Sequence, residues 1–491
     1  MTPIAPPAAV TTLTEALDDF ASRFPDRPAA IDHGRPVSYA RLARDSRRLA
    51  AWLAAQGIGP GDTVGVTIAE DWPQLVTTLA LLRLGCRQAS LPRRDPVEVR
   101  SALARRLGIG VVIGERPGDA LGPVGVLLPD EDRIARDAAL DDVALPAAPA
   151  GGQLVFGSSG TTGRPKMMAV SEAMLLAQGR LLAPYGTVFH RQVPADINHG
   201  KRLQLRGIAV GGTEVFANSL DEGGLPGLFA RFGVERAHFT PPRIDALLEE
   251  DGGRLAAALP ATTRLFTTGG RVGLALRERV RAAVAGGLYI HYGSTEAGSV
   301  TLATPQDQAA EPETVGPPLP GVRVVVVDDA GRPLPPGEAG LLRIRSPGAI
   351  TGYLDDEAET RRVFVDGWFQ PGDVGRFTAA GQLLLAGRND EMMNLGAIKI
   401  FPGEIEQAAA GFPGLVECAA FAQHAPPFGD IPILAVVAGP GFDAAALQAH
   451  CRAALGVRAP RQVRVVAALP RNPQGKVLRR ELAAAARQEG T

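Results

Sequence analysis

The run Gly157-Ser158-Ser159-Gly160-Thr161-Thr162-Gly163-Arg164-Pro165-Lys166 follows directly on the apolar residues Leu154-Val155-Phe156. Small residues let a backbone close tightly and aim several N–H groups at one anion. The hydroxyls add donors and Lys166 adds a mobile positive charge, so the chemistry is phosphate binding. The order Gly-Lys-Ser/Thr of a Walker loop is missing. Further on, Tyr292-Gly293-Ser294-Thr295-Glu296-Ala297-Gly298 offers a ring able to stack on a purine, with Thr295 and Glu296 able to approach a phosphate and its metal. A single carboxylate suits magnesium, which keeps most of its waters. In Trp368-Phe369-Gln370-Pro371-Gly372-Asp373 a carboxylate at a tight turn is fitted to accept both hydroxyls of a ribose. Near the end, Gly475 allows a tight loop that presents Lys476 at its tip.

These residues need a scaffold that brings distant segments together. At 491 residues the chain exceeds one ordinary core and implies at least two domains. Leucines at 42, 49 and 53 share one face of a helix expected over 39–56, closed by Gly57. A first helix is expected over 13–24, a strand over 63–68 and an apolar helix over 73–84. Helices alternating with short apolar strands imply α/β architecture with parallel sheets covered by helices. Residues 92–149 show little periodicity. Strands are expected at 323–327, 340–345 and 382–385, and from Gly387 the texture changes to a small α+β unit. The expected organisation is a large N-terminal domain of helix-flanked β-sheets, 1–387, and a small mobile α+β C-terminal domain, 388–491.

Apolar residues make up 45% and charged residues 21%, the balance of a globular protein, and the formal net charge of −1 carries no nucleic-acid or membrane signature. No apolar stretch approaches the ~18 residues of a membrane span, and no signal peptide precedes the first helix. Cys86, Cys418 and Cys451 lie far apart without a CxxC pair, so neither a zinc knuckle nor a redox centre is indicated. A reducing cytoplasm fits.

The string SSGTTGRPK, with the later motifs in order, resembles the signature of the adenylate-forming superfamily: acyl-CoA synthetases, adenylation domains of peptide synthetases and beetle luciferases. The resemblance implies an ATP-dependent enzyme that converts a carboxylic acid to an acyl-AMP and passes it to a thiol. ATP would meet Ser158, Ser159, Gly160, Thr161, Thr162, Gly163 and Lys166 at its phosphates. Tyr292, with Gly293 and Ser294, would flank the adenine, Thr295 would touch the α-phosphate and Glu296 would hold Mg²⁺. The stretch through Gly270 and Arg271 would border the base, Asp373 would take the ribose, and Arg388 would contact the ribose or a phosphate. Asp390 would be the hinge, and the loop at Gly396 would line a tunnel for the thiol. Thr161, Glu296 and Lys476 would take the catalytic parts. Pro371 replaces the family's usual Thr, and Lys399 its usual Arg.

The thiol would come from coenzyme A or from the phosphopantetheine of a separate carrier protein. The stretch expected to border the acyl pocket, Ile197-Asn198-His199-Gly200-Lys201-Arg202-Leu203-Gln204-Leu205-Arg206, is polar and cationic where acyl-CoA synthetases usually have an apolar helix. It suggests a small polar or anionic acid read by Lys201 or Arg202, unless those cations face water. His190, His199 and His291 are further pocket candidates, His291 best placed beside Tyr292. Two alternatives stand: a ligase that passes the acyl group to an amine or other acceptor, and a nucleotide-binding relative without catalysis. The first assignment to test is Lys476, since losing one preorganised charge-stabilising donor costs about 10²–10³ in rate. Lys476→Ala is expected to slow acyl-AMP formation by at least that factor in a single-turnover assay. Wild-type rates would remove Lys476 from the mechanism.

Overall fold

The computed structural model describes residues 10–148, 151–158, 165–395, 398–424, 429–471 and 477–488. Thr12 caps the first helix, Leu13–Arg23, in a reciprocal capping box with Glu15, and Leu13, Leu17 and Phe20 are fully buried along one face. Ser38 caps the second, Tyr39–Ala55, whose Leu42, Leu49 and Leu53 pack into the same core. The third, Asp71–Arg83, buries almost its whole length, which explains its lack of a polar face.

Among the described residues two large sheets form the N-terminal part. One has six strands in the order Gly125–Leu127, Val111–Gly114, Thr63–Thr67, Arg87–Ser90, Gln153–Ser158, Lys166–Ser171. The other has eight, in the order Gly298–Ala303, Leu288–Ser294, Arg264–Thr267, Arg236–His238, Val188–Arg191, Thr213–Val215, Pro28–Asp32, Arg35–Ser38. Inner neighbours run parallel, and each sheet finishes in an antiparallel return: Gln153–Ser158 with Lys166–Ser171, and Leu288–Ser294 with Gly298–Ala303. Lys166 and the Tyr292 motif therefore lie at equivalent topological positions, beside the carboxyl end of each sheet's last parallel strand, where α/β ligand sites form.

The stretch with little periodicity holds the helices Val97–Leu107 and Glu131–Arg136 and two short strands, Val111–Gly114 beside Thr63–Thr67 and Gly125–Leu127 at the sheet edge. Its longer helix exposes Val97 and Val99 and buries only Arg100 and Ala104, so its apolar residues do not mark its packed face. A third sheet carries Arg323–Val327, Gly340–Arg345, Phe364–Val365, Trp368–Phe369, Asp373–Phe377 and Leu383–Arg388. The chain leaves that sheet after Arg388, makes a turn at Asn389–Glu391, and enters the C-terminal unit at Met393–Leu395. There Leu415–His424, Asp430–Ala438 and Gln462–Val465 form a sheet covered by helices Pro402–Ala409, Ala444–Leu455 and Arg479–Gln488. Arg479 ties the last helix to Glu406 at 2.6 Å and to the Ala420 carbonyl at 3.0 Å. No helix among the described residues is long and apolar enough to cross a membrane.

The Asn198–Ile208 helix lies between the two large sheets and is buried from Gly200 to Ile208. It fits only because small residues face its neighbours. A Cβ on Gly200 would lie 2.0 Å from the Pro194 carbonyl oxygen, and one on Gly207 2.3 Å from the Phe189 ring. Overpacking at such a contact costs about 1–3 kcal/mol. Gly200→Ala is expected to lower stability by that amount, read from the urea midpoint at unchanged m-value.

Candidate active site

Lys166 opens the return strand opposite Ser158. Its ammonium pairs with the Glu359 carboxylate and lies 5.5 Å from the centre of the Tyr353 ring. Glu359 sits in the helix Glu357–Val363 and also accepts both Arg362 nitrogens at 2.6 Å. Those Arg362 bonds, and then Lys166, hold its carboxyl down at about 2 against the opposing effect of burial. The Tyr353 hydroxyl donates to Glu296 Oε1 at 3.0 Å. Burial and the Glu296 charge push that phenol far up, so it stays a donor. Lys166, Tyr353 and Glu296 thus form one continuous contact line from the first sheet to the second.

Glu296 follows the hairpin turn at the second sheet's last parallel strand. Gly293 permits the turn, since a Cβ there would lie 2.2 Å from the Gly298 oxygen. The Ser294 hydroxyl accepts the Ala297 N–H at 3.0 Å and braces the turn. Glu296 is buried to 8% exposure, and among the described residues its carboxylate takes one hydrogen bond, from Tyr353. A lone, nearly buried carboxylate with coordination capacity left over fits a magnesium ion that retains its waters.

The Tyr292 hydroxyl donates to Asp373 Oδ2 at 2.5 Å, and burial followed by the Asp373 charge raises its pKa well above the usual range. Asp373 opens a strand directly opposite Arg388, whose guanidinium lies 3.8 Å from Oδ1. Gly372, at φ +80°, makes the turn that delivers Asp373. Arg388 also donates to the Pro371 carbonyl at 2.6 Å and to Asp390 at 2.9 Å, so the expected ribose-contacting and hinge residues are neighbours. Residues 159–164 and Lys476 lie outside the described residues, as does Gly396.

The acyl-side expectations are redistributed. Lys201 points to the Thr78 hydroxyl at 3.3 Å, on the helix face away from the pocket. Arg202 donates to the Thr295 carbonyl at 2.6 Å and covers the Phe156 ring at 4.9 Å, bracing the motif turn from below. His190 is held by the Val215 carbonyl at 2.8 Å among Phe229 and Phe239. Arg271 leaves the base-bordering stretch for the C-terminal unit, donating to Gln407 at 2.9 Å and crowding Gly403. Gly270 beside it is exposed.

His199 and His291 do meet, in a narrow pocket that also takes in Arg206, His238 and Thr268, with Phe266 among its apolar walls. Burial and then the Arg206 charge hold His199 and His291 down at about 3, and burial takes His238 well below its usual value. The imidazoles are therefore neutral at physiological pH. Arg206 was legible in the spacing: it stands one helical turn after Arg202 and two after His199. His238 carried no local signal, and neither did Tyr353 or Glu359, which reach the site only through the fold.

Comparison with known proteins places this arrangement. Residues 17–354 match the AMP-binding enzyme model and residues 404–476 the AMP-binding enzyme C-terminal domain. A sulfoacetate–CoA ligase of Cupriavidus necator is 29% identical over 97% of this chain and 98% of its own length. A fatty acid–[acyl-carrier-protein] ligase of Mycobacterium marinum is 30% identical, covering 98% of each chain. The crystal structure of ATP-bound MatB from Rhodopseudomonas palustris superposes with a TM-score of 0.87 at 25% identity, over 98% of this chain and 100% of that one. With most of its length matched by both models, the chain belongs to the AMP-binding enzyme family and is an adenylate-forming enzyme.

Proposed function

We propose that this protein is an AMP-forming acid–thiol ligase that activates a carboxylic acid with ATP and transfers the acyl group to coenzyme A or carrier-protein phosphopantetheine. The observation that carries the reading is the unbroken contact line Lys166–Tyr353–Glu296, with Tyr292–Asp373–Arg388–Asp390 beside it. These two runs of contacts support the reading because they link candidates for phosphate, metal, base, ribose and hinge roles from distant segments.

In the first step a carboxylate oxygen attacks the α-phosphorus, the P–O bond to the β-phosphate breaks, and pyrophosphate leaves in line. Such a transfer needs alignment and compensation of spreading negative charge more than covalent help. Lys166 would exchange its Glu359 partner for the β- and γ-phosphates. Glu296 would hold Mg²⁺, which supplies positive charge to the phosphates. Asp373 would accept the ribose hydroxyls while Tyr292 flanks the adenine. Lys476 would bridge the attacking carboxylate and the α-phosphate. In the second step the unit from Arg388 onward would turn about Asp390, and a thiolate would replace AMP on the acyl carbon.

An acid-dependent ATP–pyrophosphate exchange screen tests the first step. Exchange with at least one acid is expected, and none across a broad panel would leave only a nucleotide binder. Product analysis with coenzyme A, a carrier protein and simple amines then identifies the acceptor, with a thioester expected. Replacing the ribose acceptor weakens a charge-assisted pair worth about 1.5–3 kcal/mol. Asp373→Asn is therefore expected to raise the KM for ATP about 10-fold or more in the exchange assay, with little change in the KM for the acid.

A further inference from the structure

Arg206 is buried to 7% exposure and lines the pocket with His199, His238 and His291. Its Nη2 donates to the neutral amide oxygen of Gln178 at 2.6 Å, while among the described residues Nε is buried without an acceptor. Among the described residues no carboxylate stands within ion-pair range of it. The charges that act on it are those of Arg202 and Arg236, both positive. Each of the other buried cations on this helix and the strand before it feels a carboxylate, Lys201 that of Asp196 at longer range. Arg191 pairs with Glu214 and Asp71, each at 2.5 Å, and Arg202 feels Glu296. A buried guanidinium left without a counter-charge is costly, and the imidazoles around this one are neutral and offer it no anion. The pocket has been built with one positive charge in excess.

We infer that this excess charge is matched by the substrate: the protein selects a short acid bearing a second anionic group, which Arg206 reads while the first carboxylate is activated. This rests on the acid activation proposed above. Arg202, one turn before Arg206, holds the Thr295 carbonyl, so Arg206 lies one helical turn further along the helix from that contact. Phe239, Phe266 and Leu203 close the pocket with apolar walls and leave no room for a long chain. A carboxylate and a sulfonate share the required chemistry, and the panel below separates them. His199, His238 and His291 supply neutral N–H donors to the same anion.

The test compares kcat/KM in pyrophosphate exchange for matched pairs: succinate against butyrate, malonate against propionate, and sulfoacetate against propionate. The wild-type enzyme is expected to favour the doubly charged member of at least one pair by 10-fold or more. Arg206→Met is expected to cut that ratio by about 10- to 100-fold, chiefly through the KM for the diacid. Arg206→Lys, which keeps the charge but loses the planar fork, is expected to fall between. A wild-type enzyme that prefers the singly charged acids, or a ratio that survives Arg206→Met, overturns the inference and leaves acid activation standing. Equal losses on both members of a pair also overturn it, because they reduce Arg206 to a brace for Gln178. Absence of exchange with every acid overturns both readings.

Discussion

The Tyr353 hydroxyl resting on the Glu296 carboxylate is where the architecture of this protein closes on itself. Tyr353 follows the Gly340–Arg345 strand of the third sheet, Glu296 belongs to the hairpin turn of the eight-stranded sheet, and Lys166 against the Tyr353 ring belongs to the six-stranded one. A phenol bonded to a buried carboxylate is a short-range, directional contact, so it fixes the Glu296 turn against the segment that carries Tyr353. The Ile350 N–H bonded to the Glu296 carbonyl at 2.9 Å anchors the same junction through the main chain.

Electrostatics repeats the pattern. The cleft between the sheets is lined by carboxylates on the nucleotide side, with Glu296, Asp373 and Glu359 each bound to a tyrosine, an arginine or a lysine. The acyl side has the opposite sign, with Arg202 and Arg206 on one buried helix and neutral imidazoles around the second of them. Under the proposed function a metal ion would bring compensating charge to the first region, and an anionic substrate would do so for the second. Buried charge that the protein leaves unbalanced is tolerable only where a ligand completes it, because desolvating an unpaired ion costs several kcal/mol.

The fold class, the paired helices at the N-terminus and the change of texture near Gly387 were readable because each rests on local pattern: apolar periodicity, caps and turn residues. The segment 92–149 was not, since its strands are only three or four residues long and its longer helix buries only Arg100 and Ala104, too little to set a period. Tyr292, Glu296 and Asp373 were singled out by motif resemblance, and the glycines at 293 and 372 that their turns require are part of those motifs.

What the chain alone determined is therefore the set of turns and the order in which they come. Their composition is dictated by backbone geometry within a few residues, which is why a nucleotide-binding enzyme could be inferred before any fold was known. Which cation faces which cavity was decided only in three dimensions. Lys201, Arg202 and Arg206 are equally charged in the sequence, yet one meets Thr78, one the Thr295 carbonyl and one the pocket. Helix rotation against two sheets, set by the close approaches at Gly200 and Gly207, assigns those directions. Packing of that kind depends on partners as far away as Thr78 is from Lys201, 123 positions, and no local pattern encodes it.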